Sequence, residues 1–382
     1  MRVALFKHHI SGFGGTERLI IEYMKRSRYE TILFTDKIVK NDMQWIIRKY
    51  KVVEIGPSRK IKSLEKLHPL ILKLPLESMD VFLPFIGEVL SEAIILRNNS
   101  IPTIGYVAGT FRFIDHLEQR LRFRENSFIR LPKIYGLISS HIFNKYNELV
   151  ANSNFVQQKL YKWIKLKGNI KKIHVIHPGV DTTFFKPRGV YGDYFLVVSR
   201  IERLKRLELV INAFNLLKKL YDCKFRLVIA GYLAPQNKSY LNYLINISKK
   251  DIDFILNPSD DKLLKLYQEC YAFVFSSFKE PFGITPLEAM SCGKPVIATG
   301  EGGFMDYLVH GQNGFITDSD PYAIARKMLL LAQNYELTVK MGEEARKKAL
   351  FFDWKIFSER MDHLIEHVLH QPNRSEKSLR HL

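Results

Sequence analysis

Short apolar runs recur along the chain, each followed by a polar loop and then by a stretch in which apolar residues return every three or four positions. The runs at Arg2–Lys7, Thr31–Thr35, Asp80–Pro84, Thr103–Val107 and Leu149–Ala151 read as strands. A second set lies at Tyr194–Val198, Phe225–Ala230, Asp253–Leu256, Ala272–Phe275 and Pro295–Ala298. Between them stand amphipathic stretches such as Glu17–Lys25, Leu207–Lys219 and Asp260–Cys270, which carry the helical period. Strand–helix alternation of this kind predicts α/β architecture with parallel, doubly wound sheets. The rhythm breaks at Ile176-His177-Pro178-Gly179-Val180-Asp181 and resumes after Lys186-Pro187-Arg188. That Pro- and Gly-marked segment reads as a linker between two domains. In such sheets ligands bind beyond the carboxyl ends of the strands, so the loops after the strands are where chemistry is expected.

Composition agrees with this outline. A chain of 382 residues exceeds one ordinary core, and 46% apolar residues is normal for a globular protein. No run approaches the ~18 uninterrupted apolar residues of a membrane span. Met1–Phe6 runs straight into Lys7 and His8, too short a stretch for the apolar region of a signal peptide. Three cysteines, Cys223, Cys270 and Cys292, are far apart and odd in number. They argue against a disulfide framework or a zinc site and for a reducing, cytoplasmic location.

Charge changes the picture. Residues 1–187 hold 31 Lys+Arg and 16 Asp+Glu (31 − 16 = +15), whereas residues 188–382 hold 27 and 23 (27 − 23 = +4). A field concentrated in the first half attracts nucleic acid, anionic lipid headgroups or phosphorylated substrates. A lysine-rich surface kept for solubility does not predict the asymmetry.

Five loops carry candidate chemistry. Ser11-Gly12-Phe13-Gly14-Gly15-Thr16-Glu17-Arg18 follows the first strand, and its glycines permit positive φ and close approach of backbone to a ligand. A dinucleotide fingerprint would need a third glycine where Glu17 stands, so a nicotinamide site is disfavoured. In Ser199-Arg200-Ile201-Glu202-Arg203-Leu204-Lys205-Arg206, Arg200 and Lys205 could clamp a diphosphate that gains charge as a bond breaks, or could belong to a solvated face. Ala230-Gly231 ends a strand with a small residue. Glu280-Pro281-Phe282-Gly283-Ile284-Thr285-Pro286-Leu287-Glu288 places two carboxylates around a glycine turn that opens a helix over Thr285–Ser291. Helix starts bind phosphate and carboxylates accept from hydroxyls, so this loop can hold a phosphate and a sugar together. Gly300-Glu301-Gly302-Gly303, with Asp306 and Asn313-Gly314 beyond it, fits phosphate contact and tight packing equally.

Together these residues resemble the retaining glycosyltransferases of family 4, nearly end to end. Gly14-Gly15-Thr16-Glu17-Arg18 is similar to the family's N-terminal glycine loop, Ala151-Asn152-Ser153 to its late N-domain segment, and His177–Asp181 with Phe185 and Pro187 to its linker. Ser199-Arg200 with Lys205 resembles its Arg/Lys diphosphate pair, Glu280 through Glu288 its E-x7-E motif, and Phe352-Asp353-Trp354 the start of its last helix. The resemblance implies the GT-B fold, with two Rossmann-like domains facing a cleft. It implies an acceptor domain over 1–187, a nucleotide-sugar domain over 188–352, a helix over 353–370 packed on the first domain, and a basic tail over 371–382. It also implies roles. Arg200 and Lys205 neutralise the departing diphosphate, Glu280 bonds hydroxyls of the transferred sugar, and Glu288 bonds the ribose. Gly14 and Gly15 approach the distal phosphate, and Phe282, Gly283, Ile284 and Thr285 hold sugar and phosphates through their amides. Gly231 closes a strand beside the site, and Ile255–Asn257 borders the base. No cofactor or metal is expected, in keeping with the lack of an Asp-x-Asp motif.

Two positions depart from the pattern: Asp306, where relatives often have Glu, is conservative, and the other matters. Ala108, in Tyr106-Val107-Ala108-Gly109, stands where relatives often carry a sugar-touching histidine, and His8 and His9 could replace it. Arg120, Arg122, Arg124, Arg130 and Lys133 alternate with Leu121, Phe123, Phe128 and Ile129, a basic–aromatic pattern suited to an anionic membrane. No nucleic-acid module is recognisable. The expectation is a cytoplasmic enzyme, peripheral on the membrane, that moves a hexose from a nucleotide sugar to a lipid-linked or polysaccharide acceptor. A synthase acting on a soluble sugar and a non-enzymatic basic binding protein are the alternatives.

Overall fold

A computed structural model describes residues 1–10, 14–38, 45–55, 72–87, 91–109, 138, 140–163, 172–221 and 224–370. The chain divides into two compact units, Met1–Pro178 with Trp354–Leu382, and Gly179–Asp353.

The first unit holds a parallel sheet of β1 (Arg2–Ile10), β2 (Glu30–Ile38), β3 (Val52–Glu54), β4 (Val81–Ile86), β5 (Ile104–Val107), β6 (Glu148–Ala151) and β7 (Ile173–Val175). Their order is β3-β2-β1-β4-β5-β6-β7. The central strands are buried along their length; Val3–Phe6 and Val81–Leu83 are inaccessible to solvent, which is why their apolar runs stood out. Asn152 ties two strand ends together, its amide donating to the Ala108 carbonyl at 2.8 Å, while Ser153 Oγ accepts from Val156 N at 3.1 Å and caps the helix Asn154–Trp163.

The final helix, Trp354–Leu369, belongs to this unit. Its Asp362 accepts from Tyr23 Oη at 2.7 Å, Ser27 Oγ at 2.9 Å and Arg28 N at 3.0 Å. Burial, reinforced by the Asp362 charge, raises the Tyr23 phenol well above its ordinary pKa, so it remains a donor.

In the second unit β8 (Tyr194–Val198), β9 (Arg226–Gly231), β10 (Ile252–Leu256), β11 (Ala272–Phe275), β12 (Val296–Thr299) and β13 (Gly314–Thr317) form a parallel sheet of order β10-β9-β8-β11-β12-β13. Both sheets wind outward from their first strand, the doubly wound pattern. Winding reverses between β1 and β4 in one sheet and between β8 and β11 in the other.

The division falls earlier than the expected 187. Gly179–Pro187 packs with the second unit: Val180 N donates to Phe352 O at 2.8 Å, and Thr182 Oγ1 donates to Asp353 at 2.6 Å. Arg346 donates to the carbonyls of Thr182, Phe185 and Ser291. A Pro/Gly-rich stretch thus reads as a spacer although most of it is fastened down. The 371–382 tail and the stretch from Arg112 to Lys133, which carries the basic–aromatic pattern, lie outside the described residues. Among the described residues no helix is long and apolar enough to cross a membrane.

Candidate functional site

The second unit's switch point supplies the site. The loop after β8 carries Arg200 and Lys205, and the loop after β11 carries Glu280. Lys205 Nζ donates to Glu280 Oε2 at 2.7 Å, with side chains only 11% and 18% exposed. Two anchors hold the lysine loop: Ser276 Oγ donates to Lys205 O at 2.7 Å, and Phe278 N donates to Leu204 O at 3.2 Å. Each partner of the ion pair adjoins a left-handed non-glycine residue, Arg206 (φ 51°) and Lys279 (φ 46°). Such conformations cost of order 1–3 kcal/mol and collect where surrounding structure imposes a geometry. Arg200 is half exposed, its guanidinium 3.0 Å from Glu202 Oε1.

After Glu280 the chain turns through Pro281, Phe282 and Gly283 (φ 87°) into the helix Ile284–Ser291. No side chain caps this helix and no acidic residue stands in its first turn. Its first-turn donors are the amides of Ile284 and Thr285, since Pro286 has none. Phe282 is buried against Tyr307 and Phe352, and the Tyr307 hydroxyl donates to the carbonyls of Gly283 and Phe282. Burial first, then the charges of Glu280, Asp306 and Glu288, raises the Tyr307 pKa well above the ordinary phenol. It therefore stays protonated and holds the turn. Glu288, one turn on, is buried and accepts from Tyr267 Oη at 2.7 Å.

Glycines here serve backbone approach. A Cβ on Gly231 (φ 154°) would lie 1.7 Å from Ser199 O, and one on Gly303 would lie 1.9 Å from Pro281 O. Gly303 N donates to Glu280 O at 2.8 Å. The Gly300–Gly303 loop thus packs on the backbone of the carboxylate turn, as the packing reading expects. Asn257 (φ 51°) donates its N–H to Gly231 O at 2.9 Å and accepts from Leu233 N at 3.1 Å, fixing the loop expected to border the base.

In the first unit, Gly14 precedes the helix Gly15–Arg26 in extended conformation (φ −95°), and Gly15 is its first residue. Neither uses positive φ, so that reason for the glycine pair fails. A Cβ on Gly14 would instead crowd Glu17 Oε2 at 2.7 Å. Ser11, Gly12 and Phe13 lie outside the described residues. Ala108 directly follows β5, its N–H donating to Ile86 O at 2.8 Å.

The structure brings Lys205 to Glu280 and puts Phe282, Gly283, Ile284, Thr285 and Glu288 on one turn and helix. It does not pair Arg200 with that carboxylate. Sequence reading missed Ser276, Tyr267 and Tyr307, whose roles depend on contacts 71, 21 and 24 residues away. A buried tyrosine with a polar partner leaves no local signal.

Residues 184–348 match the family model described as glycosyl transferases group 1. The chain is 27% identical to an uncharacterised glycosyltransferase of Methanocaldococcus jannaschii over 57% of its own length and 60% of the relative's. It is 33% identical to a probable sucrose-phosphate synthase of Thermosipho melanesiensis over 54% and 50%. It thus spans about half the length of these two curated relatives. An alpha-1,3/1,6-mannosyltransferase of Candida albicans is 23% identical over 94% of the chain and 97% of the relative. Among solved structures, Anabaena HepE in complex with UDP and glucose superposes with a TM-score of 0.74 at 17% identity, covering 96% of this chain and 100% of that one. The chain therefore has the GT-B fold, and its residues 184–348 are similar to the group 1 glycosyltransferases.

Proposed function

We propose that the chain is a retaining hexosyltransferase that draws a glucose- or mannose-type sugar from a nucleoside-diphosphate donor and passes it to a lipid-linked or polysaccharide acceptor. The observation that carries this reading is the Lys205–Glu280 contact at the switch point, beside an uncapped helix start. A donor diphosphate there meets the ammonium of Lys205 and the amides of Ile284 and Thr285, with Arg200 half exposed to reach it from solvent. Glu280 exchanges its lysine for sugar hydroxyls. Glu288 takes the ribose hydroxyls, and Gly14 and Gly15 meet the distal phosphate. In the transfer step the bond from the anomeric carbon to the diphosphate oxygen breaks. The acceptor oxygen bonds to that carbon from the same face, and its proton goes to the leaving phosphate. Positive charge on Lys205 and Arg200 stabilises that phosphate, so this step needs no metal. The UDP-bound neighbour supports a uridine donor and the mannosyltransferase relative supports a mannosyl one.

The test is nucleoside-diphosphate release across a panel of UDP- and GDP-hexoses, with Lys205→Ala and Glu288→Ala alongside wild type. Release by one donor class that both variants lose is expected; equal release from all three proteins would overturn the reading. The sucrose-phosphate synthase relative favours a second reading, a soluble sugar phosphate as acceptor. The +15 balance of residues 1–187 favours the membrane. Co-sedimentation with anionic liposomes separates them: binding lost in an Arg120→Ala/Arg122→Ala/Arg124→Ala variant supports lipid acceptors, and no binding by wild type supports the soluble one.

A further inference from the structure

One cluster of side chains lies at the carboxyl ends of β1 and β2. Lys7 registers with Thr35 and His9 with Lys37, which sets His8 level with Asp36. The Nδ1 of His8 lies 2.8 Å from Asp36 Oδ2, with side chains 8% and 4% exposed. Successive strand residues ordinarily project to opposite faces. The His9 ring nevertheless lies against that of His8, centroids 3.8 Å apart and planes 28° apart. One ligand atom from each of His8, His9 and Asp36 lies within 4.8 Å of the other two.

We propose that His8, His9 and Asp36 form a binding site for a divalent late first-row cation, of which Zn²⁺ and Co²⁺ are the practical probes. A tetrahedral ion with N and O ligands at 2.0–2.1 Å sets its ligand atoms roughly 3.4 Å apart and lies in the plane of each imidazole, so binding requires the stacked His8 and His9 rings to turn away from one another. Two imidazoles with one carboxylate select such ions over Mg²⁺ or Ca²⁺, which prefer all-oxygen shells. A carboxylate held this far from water is stabilised by nearby positive charge, and a bound cation would add to it. Three protein ligands leave a fourth position for water or another oxygen ligand, the arrangement of an open rather than a closed structural site. His9, partly exposed, provides the route in. The site uses no residue to which the transfer step gives a role, so its test does not depend on whether that proposal holds.

The experiment uses the full chain after chelator treatment, titrated with Zn²⁺ by calorimetry and with Co²⁺ by visible absorption. One equivalent is expected, with the intense visible bands of cobalt bound by nitrogen and oxygen at low coordination number. His9→Gln and Asp36→Asn should each weaken binding at least ~10-fold. His363→Gln/His367→Gln, on the exposed face of the final helix, should leave it unchanged. Absence of binding to wild type overturns the proposal, as does binding lost only in the final-helix variant. Circular dichroism checks the fold; if Asp36→Asn unfolds the chain, the half-buried His9→Gln still decides.

Discussion

The two sheets share one winding and finish their ligand edges in different ways. At the second unit's edge, the ends of four strands are drawn together backbone to backbone, with Gly231 on Ser199 and Gly303 on Pro281, around one lysine–carboxylate pair. The first unit's edge has one such approach, Gly87 on the backbone of Gly109, and is otherwise tied by side chains: Asn152 on Ala108, and His8 on Asp36. Backbone amides suit groups common to many donors, such as phosphates, and they tolerate little change in the chain that carries them. Side chains can be exchanged without moving a strand. The first edge thus leaves more of its finish to exchangeable side chains, and the second to backbone.

Four measurements bear on that contrast, in falling order of effect. Lys205→Ala removes the charge meant for the diphosphate and leaves Glu280 with one partner fewer. We expect donor turnover to fall ~10²–10³-fold, with stability changed by no more than ~2 kcal/mol because both groups keep some contact with water. A turnover loss under ~5-fold would show that the pair is structural. Gly303→Ala drives a methyl into the Pro281 carbonyl, and urea denaturation should register a loss of ~3 kcal/mol or more. If the edge instead yields as freely as a surface loop, the loss will be under ~0.5 kcal/mol. Asp362→Ala deprives three donors of their acceptor, and a loss of ~2–3 kcal/mol is expected, confined to the unit that holds Tyr23.

The smallest effect concerns thiols. Burial pushes Cys270 up to about 12 and raises Cys292 as well. A raised folded pKa means that the unfolded chain releases its proton first. The associated stability is intact below pH 9 and declines towards about 12, by up to ~1.4 kcal/mol per pH unit for each thiol. Native protein at pH 8 should leave both unlabelled by a thiol reagent, and labelling as fast as in urea would contradict their burial.

The sequence disclosed elements in proportion to their burial. Tyr194–Val198 and Ala272–Phe275 are buried throughout and agree with their expected limits. Val52–Glu54 and Ile173–Val175 were missed, being three residues long and partly exposed at the sheet edges, where no apolar run need form. The carboxylate turn was legible because its glycine, its proline and both glutamates are local. Its lysine is not local. Nothing in 75 intervening residues announces that Lys205 meets Glu280, and the family resemblance gave both a place at the donor without pairing them. Arg206 and Lys279 could not have been found, since left-handed φ at an arginine or a lysine is imposed by neighbours.

The bond between Tyr23 and Asp362 spans 339 residues of chain. The second unit is continuous and can be completed while the ribosome is still at work, but the first cannot. At roughly 5–20 residues per second, its opening helix waits on the order of 20–70 s for Asp362 to emerge. Throughout that interval the phenol and the exposed flank of the sheet depend on water or a chaperone. The unit made first is the one finished last.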